Sequence, residues 1–130
     1  MRTITDHKLN GLNDALEITV LDEPGHGGAC HVYAIDIGGR PEDFDEHTSS
    51  GEGSCIIRFQ NGPIAEHGVN GISGEALLAI VIDRMRCFQA GPYACRDNAV
   101  ALTKLEESLM WLQKRTRDRM ARGVEGTSIK

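Results

Sequence analysis

The pattern from about residue 92 to 121 constrains the fold most strongly. Leu102, Leu105, Leu109 and Leu112 recur there at intervals of three and four, the apolar seam of a helix packed antiparallel to another helix or in a coiled coil. At ~1.5 Å per residue such a helix is roughly 45 Å long, more than the width of a domain of this size. It therefore projects beyond any small sheet that the rest of the chain can form. Apolar surface is left over, and a homo-oligomer built through these helices is expected.

A second helical pattern precedes it, over about residues 74 to 89. Ser73 is its N-cap candidate, and Glu75 places a negative charge in the first turn, where backbone N–H groups are exposed. Leu77, Leu78, Ile80, Val81, Ile82, Met85 and Phe88 occupy more than one narrow stripe, which predicts packing on two neighbours. The two patterns are joined by "AGP", with Pro92 suited to the first position of the second helix.

The first half of the chain reads as strands. In "ALEITVLD", residues 15 to 22, Leu16, Ile18 and Val20 alternate with Glu17 and Thr19, and this strand is expected to be the first element. "EPGHGG" suits a hairpin connection to a second strand, "ACHVYAIDI" at 29 to 37, and "CIIRFQ" at 55 to 60 makes a third. The Gly-, Ser- and acid-rich residues 38 to 53 read as a surface loop with no chemistry assigned. Residues 61 to 72, with two Asn-Gly steps and a Gly-Pro, read as a string of turns carrying at most a short strand. The fold class is thus α+β: a small N-terminal antiparallel sheet over 1–72, then a long antiparallel helical hairpin over 73–130, forming one compact unit.

Composition narrows the function classes. A net charge of −5 works against binding of a nucleic acid polymer, whose affinity comes largely from neutralised phosphates. The sign is uneven, however, because "QKRTRDRMAR" sets Lys114, Arg115, Arg117, Arg119 and Arg122 against Asp118 alone, a local basic site for a small anion. No stretch has the ~18 consecutive apolar residues of a membrane span and the amino terminus lacks the apolar core of a signal peptide, so a soluble intracellular protein is expected. Cys30, Cys55, Cys87 and Cys95 include no Cys-x-x-Cys pair, and the expectation is reduced thiols packed as small apolar groups.

No Gly-x-Ser-x-Gly, P-loop or Gly-x-Gly-x-x-Gly element occurs. His26 and His31, with His47 or His67, lack the spacing of a third metal ligand, so neither a metal site nor a cofactor is expected. Binding features are better represented. Asn98 extends the leucine seam as a polar group, and it serves either as a register-setting residue or as an amide that reads a base or ribose edge. Phe88 is either core or a ring presented for stacking. Arg115 and Arg119 share one helical face; they are either solvated cations near a helix carboxyl terminus or paired guanidinium forks for phosphate. Arg115 lies about 17 residues beyond Asn98, roughly 25 Å along the helix, so one subunit does not bring the two ends together. An antiparallel partner does, which places a ligand site at each subunit interface.

Residues 59 to 127 closely resemble the helical hairpin shared by two groups of phage immune-evasion sponges, the first-described Thoeris anti-defence family and the smaller anti-CBASS cyclic-oligonucleotide sponge. "FQAGPYACRDNA", "ALTKLEESLMWL" and "RGVEGT" carry the likeness, and the strand-rich first half, with "LDEPGHGGACHVYAI", resembles the Thoeris group. The resemblance implies a non-enzymatic protein that sequesters defence signalling nucleotides in the cytoplasm of the infected host. The implied ligands are glycocyclic ADP-ribose, a TIR-domain product, with cyclic dinucleotides and trinucleotides in some members. The implied assembly is a hexamer built from dimers. It also implies ligand contacts by Phe88 of "CFQAG" and Asn98 of "CRDNA", phosphate contacts by Arg115 and Arg119, and a contribution from Arg58 of "IIRFQ" in the sheet. Tyr93 and Asp97 stand where Phe and Glu are expected. The rival readings are a hydrolase of cyclic nucleotides that uses His26, His31 or His67, and an oligomerising helical module that binds another protein.

Overall fold

A computed structural model of the chain describes residues 1–37 and 54–130. The expected loop at 38–53, and His47 within it, lie outside the described residues. The chain divides into two compact units, Met1–Gly62 with Val69–Gly71, and Pro63–Gly68 with Ile72–Lys130.

The first unit holds a four-stranded antiparallel sheet in the order β1 (Arg2–Ile4), β2 (Glu17–Val20), β3 (Val32–Asp36), β4 (Ser54–Arg58). The alternation read from sequence sets its register, with Ile18 opposite Ile35 and Val20 opposite Tyr33, and Tyr33 in turn opposite Ile57. Val20 is almost wholly buried. Tyr33 meets Phe59 edge to face, with ring centroids 5.7 Å apart, an arrangement favoured by the ring quadrupoles.

The strand at 17–20 is not the first element. β1 precedes it, and so does a five-residue helix α1 (Gly11–Ala15), started by the Asn10 side chain accepting from the Asn13 N–H. The β2–β3 connection contains a 3-10 turn at His26–Gly28, where Gly27 and Gly28 take positive φ. Asp22 closes this connection, because its two carboxylate oxygens accept the N–H groups of His31 and Val32.

The second unit is helical. α2 (Ile64–His67) is a single helical turn within the region expected to hold turns and at most a short strand. α3 (Gly74–Gln89) begins as expected, with the Ser73 hydroxyl accepting from the Ala76 N–H. α4 (Arg96–Ala121) packs on α3 and is tied to it by the Arg86–Glu106 ion pair at 2.8 Å. Ile82 is the buried centre of α3, while Leu102, Leu105 and Leu109 are half-buried along the expected seam. With 26 residues against 16, α4 outruns α3, and Leu112 is already exposed.

Two further expectations are corrected. Pro92 does not start α4; residues 90–95 form the turn, and Cys95 is the N-cap, its Sγ accepting from the Asn98 N–H. The four cysteines are free, but Cys55, Cys87 and Cys95 are exposed rather than packed.

Candidate functional site at the two ends of the helical pair

The turn between α3 and α4 is held by one side chain. Gln89 donates from Nε2 to the Cys95 carbonyl at 3.2 Å and accepts the Cys95 N–H on Oε1 at 3.1 Å, so its amide acts as a short piece of paired backbone across the turn. This fixes Phe88, in the last turn of α3, relative to Asn98, in the first turn of α4. Both are half-buried. The Asn98 backbone N–H is used by the Cys95 cap, whereas its side-chain amide makes no hydrogen bond among the described residues. Such an amide is available to a partner from outside the chain.

The other end of α4 is built by "RGVEGT". Gly123, with φ of 72°, ends the helix: its N–H bonds to the Met120 carbonyl and the Val124 N–H bonds to the Arg119 carbonyl, the two bonds of a Schellman motif. The chain then folds back, and the Ala65 N–H of α2 donates to the Gly126 carbonyl at 3.0 Å. Gly126 has φ of 78°, and a Cβ there would stand 3.0 Å from the Ile64 side chain.

Arg119 organises this return. Its Nε donates to Glu125, and its terminal nitrogens donate to the carbonyls of Val124, Thr127 and Ile129. Only 9 % of the residue is exposed, and four of the five guanidinium donors are in use. Arg115 and Arg119 are therefore not presented as a pair of forks. Arg115 is exposed and lines two shallow grooves. One, of about 440 Å³, also involves Trp111, Lys114, Arg122 and the engaged Arg119; the other, of about 530 Å³, involves Ser73, Glu75 and Gln113. Lys114 is paired with Asp118 at 2.7 Å and Arg122 donates to the Lys130 carbonyl, so Arg115 is the arginine of the first groove with no partner among the described residues.

Arg58 is exposed at the end of β4, opposite Val32, in the other compact unit. Two of the candidate histidines are engaged locally: His31 is buried and donates from Nε2 to the His26 carbonyl, and His67 lies 3.8 Å from Glu66. Among the described residues no group of three His, Cys, Asp or Glu side chains gathers as a metal centre requires. No helix among them is long and apolar enough to cross a membrane.

Sequence reasoning missed Gln89 and Cys95 as the stitch of the turn, and Trp111 in the basic groove, where Arg122 was already expected. The i, i+4 spacing of Trp111 and Arg115 was a usable signal for the groove. No local pattern marks a glutamine that bonds the backbone six residues on.

These features define a helical-hairpin protein that carries a ring and a free amide at its turn and a cationic groove at its far end. Residues 52–117, half of the chain, match the family described as Acb2/Tad1, hairpin domain, and the chain belongs to that family. It is also 57% identical over 76 residues to "Thoeris anti-defense 1" of Bacillus phage SBSphiJ7, an alignment covering 58% of this chain and 54% of that protein. The chain thus spans about half the length of the curated relative it matches.

Proposed function

We propose that this is a phage immune-evasion protein that binds and sequesters a bacterial defence signalling nucleotide without cleaving it, acting in the cytoplasm of the infected cell. Glycocyclic ADP-ribose is the first ligand of this reading, and cyclic di- and trinucleotides are a second class. The name of the phage relative supports an action against Thoeris defence. The observation that carries the reading is the turn itself, where an aromatic ring and an amide with no partner among the described residues are fixed by the Gln89–Cys95 bonds. A ring to stack on a base and an amide to read its edge are what nucleotide recognition needs.

In this reading Phe88 and Asn98 of one subunit meet Arg115 of another, Arg119 holds the segment that shapes the far groove, and Arg58 adds a contact from the sheet. Exposed Ile80, Val81, Val100, Met110 and Trp111 on the helices supply apolar surface for the assembly, a hexamer built from dimers. Sequestration needs tight binding, and nanomolar affinity corresponds to about −12 kcal/mol, which a pocket closed by two chains is suited to give.

The test is calorimetric titration of glycocyclic ADP-ribose into the full chain, with light scattering on the same samples. Wild type binds, and Phe88→Ala and Asn98→Ala lose binding while keeping the oligomer. A variant that falls to monomer returns its residue to a structural role, and a wild type with no affinity for nucleotides sinks the reading in favour of a helical protein-binding module.

A further inference from the structure

Arg84 stands one helical turn before Phe88, with its guanidinium carbon 5.0 Å from the centre of the Phe88 ring and over its face. At that distance a ring face attracts a cation. Arg84 is exposed and forms no ion pair among the described residues, unlike Arg86 two positions on, which Glu106 neutralises. The charge over Phe88 is therefore not cancelled by a carboxylate. Arg119, the residue that motif position marks for phosphate, is occupied by Glu125 and three carbonyls of its own chain. Arg115 lies near the far end of α4 and reaches the turn only from a second subunit, so within one chain a phosphate bound near the turn finds its charge elsewhere.

We propose that Arg84 is a further ligand-contacting residue, forming with Phe88 a composite receptor for an anionic aromatic ligand. This rests on the reading of Phe88 as a stacking residue. The base stacks on the ring face that Arg84 leaves open. The guanidinium, held over the opposite face, meets a phosphate that passes the ring edge, and it withdraws no other partner from the protein to do so. Both groups come from α3 of one chain, so this half of the recognition precedes any contribution from a second subunit. Pairing a planar cation with a ring also favours nucleotides over nucleosides at the same site, because only the nucleotide uses the charge.

The experiment is titration of glycocyclic ADP-ribose, and of adenosine as its uncharged counterpart, into the full chain as wild type, Arg84→Gln and Arg84→Lys at low and high salt. Arg84→Gln is expected to weaken glycocyclic ADP-ribose about tenfold and to flatten its salt dependence. Adenosine affinity is unchanged, and Arg84→Lys retains affinity within about threefold because the charge remains. Far-ultraviolet circular dichroism confirms that each variant keeps its helices. Two results overturn the proposal while leaving the sponge reading intact: wild-type affinity in Arg84→Gln, or a loss with unaltered salt dependence, which assigns Arg84 to ring packing alone. Absence of binding by wild type overturns the sponge reading instead.

Discussion

Gln89 and Cys95 exchange two hydrogen bonds, at 3.2 and 3.1 Å, between one side-chain amide and one backbone unit. The six residues between α3 and α4 are thereby closed into a fixed turn, and the positions of Phe88 and Asn98 depend on it.

Gln89→Ala removes both bonds. Because they are exposed, water replaces part of what is lost, and the expected cost is about 1 kcal/mol in urea unfolding of the helical unit. If Phe88 and Asn98 bind the nucleotide as proposed, its affinity should fall by more than this stability loss accounts for, since the turn stays folded but the two side chains are no longer held together. Titration and unfolding of the same variant measure both quantities. Equal affinity in Gln89→Ala and wild type removes the turn from the recognition site.

Arg119→Ala strips four donors from a nearly buried position and leaves Glu125 and three carbonyls without their partner. A cost of about 2–3 kcal/mol is expected, with faster hydrogen exchange over 123–129. Arg119→Lys keeps the charge for Glu125 but lacks the fork that reaches three carbonyls, so it recovers only part of the loss. Full recovery by lysine would contradict the structural role assigned to the guanidinium.

Asp22 gives a pH dependence with a defined sign. The His31 N–H, first among the causes, and the Val32 N–H hold its carboxyl below the ordinary value, against the opposing effect of partial burial. A group whose pKa is depressed by folding contributes fully above its unfolded value, about 4, and loses that contribution as pH falls through the folded value. The difference in stability between wild type and Asp22→Asn should therefore be largest above pH ~4 and narrow below it. Nuclear magnetic resonance of the His31 and Val32 amides across this range follows the same event. A difference that grows on acidification contradicts the assignment.

Gly71 and Gly74 respond oppositely to alanine. A Cβ at Gly71 would stand 2.4 Å from the backbone carbon of Phe59, and backbone cannot move aside cheaply, so Gly71→Ala should cost about 1–3 kcal/mol. Gly74 opens α3 with nothing within 4 Å of such a Cβ, and Gly74→Ala should stabilise by about 0.5 kcal/mol through the unfolded chain. Thermal melts of the two variants check both signs.

The parts of the fold legible in the sequence are those with a repeated period. Alternation located β2, the turn signals of "EPGHGG" located β3 after it, and Ser73 with the apolar residues of 77–88 placed α3 correctly. β1 has three residues and α1 five, too few for any period to show. The start of α4 was read four residues early because Pro92 is a familiar first helical residue, whereas the true cap is Cys95, a weak acceptor that capping preferences do not favour. Part of the candidate site's geometry was legible. Phe88 and Asn98 do flank the turn, but the pairing of Arg115 with Arg119 as two open forks was inferred from helical spacing and from the resemblance. Spacing does not reveal that a chain reversing at Gly123 brings three carbonyls back onto one of the two arginines. The Arg84–Phe88 contact was available from the same i, i+4 rule and went unread.

The central claim is binding without chemistry, and it is tested by recovering the ligand. The protein is incubated with glycocyclic ADP-ribose, freed of unbound nucleotide, denatured, and the released material is identified by mass. The account predicts intact glycocyclic ADP-ribose in proportion to occupied sites, and none carried through by Asn98→Ala. A linear or hydrolysed product released by wild type would contradict it and make the protein an enzyme.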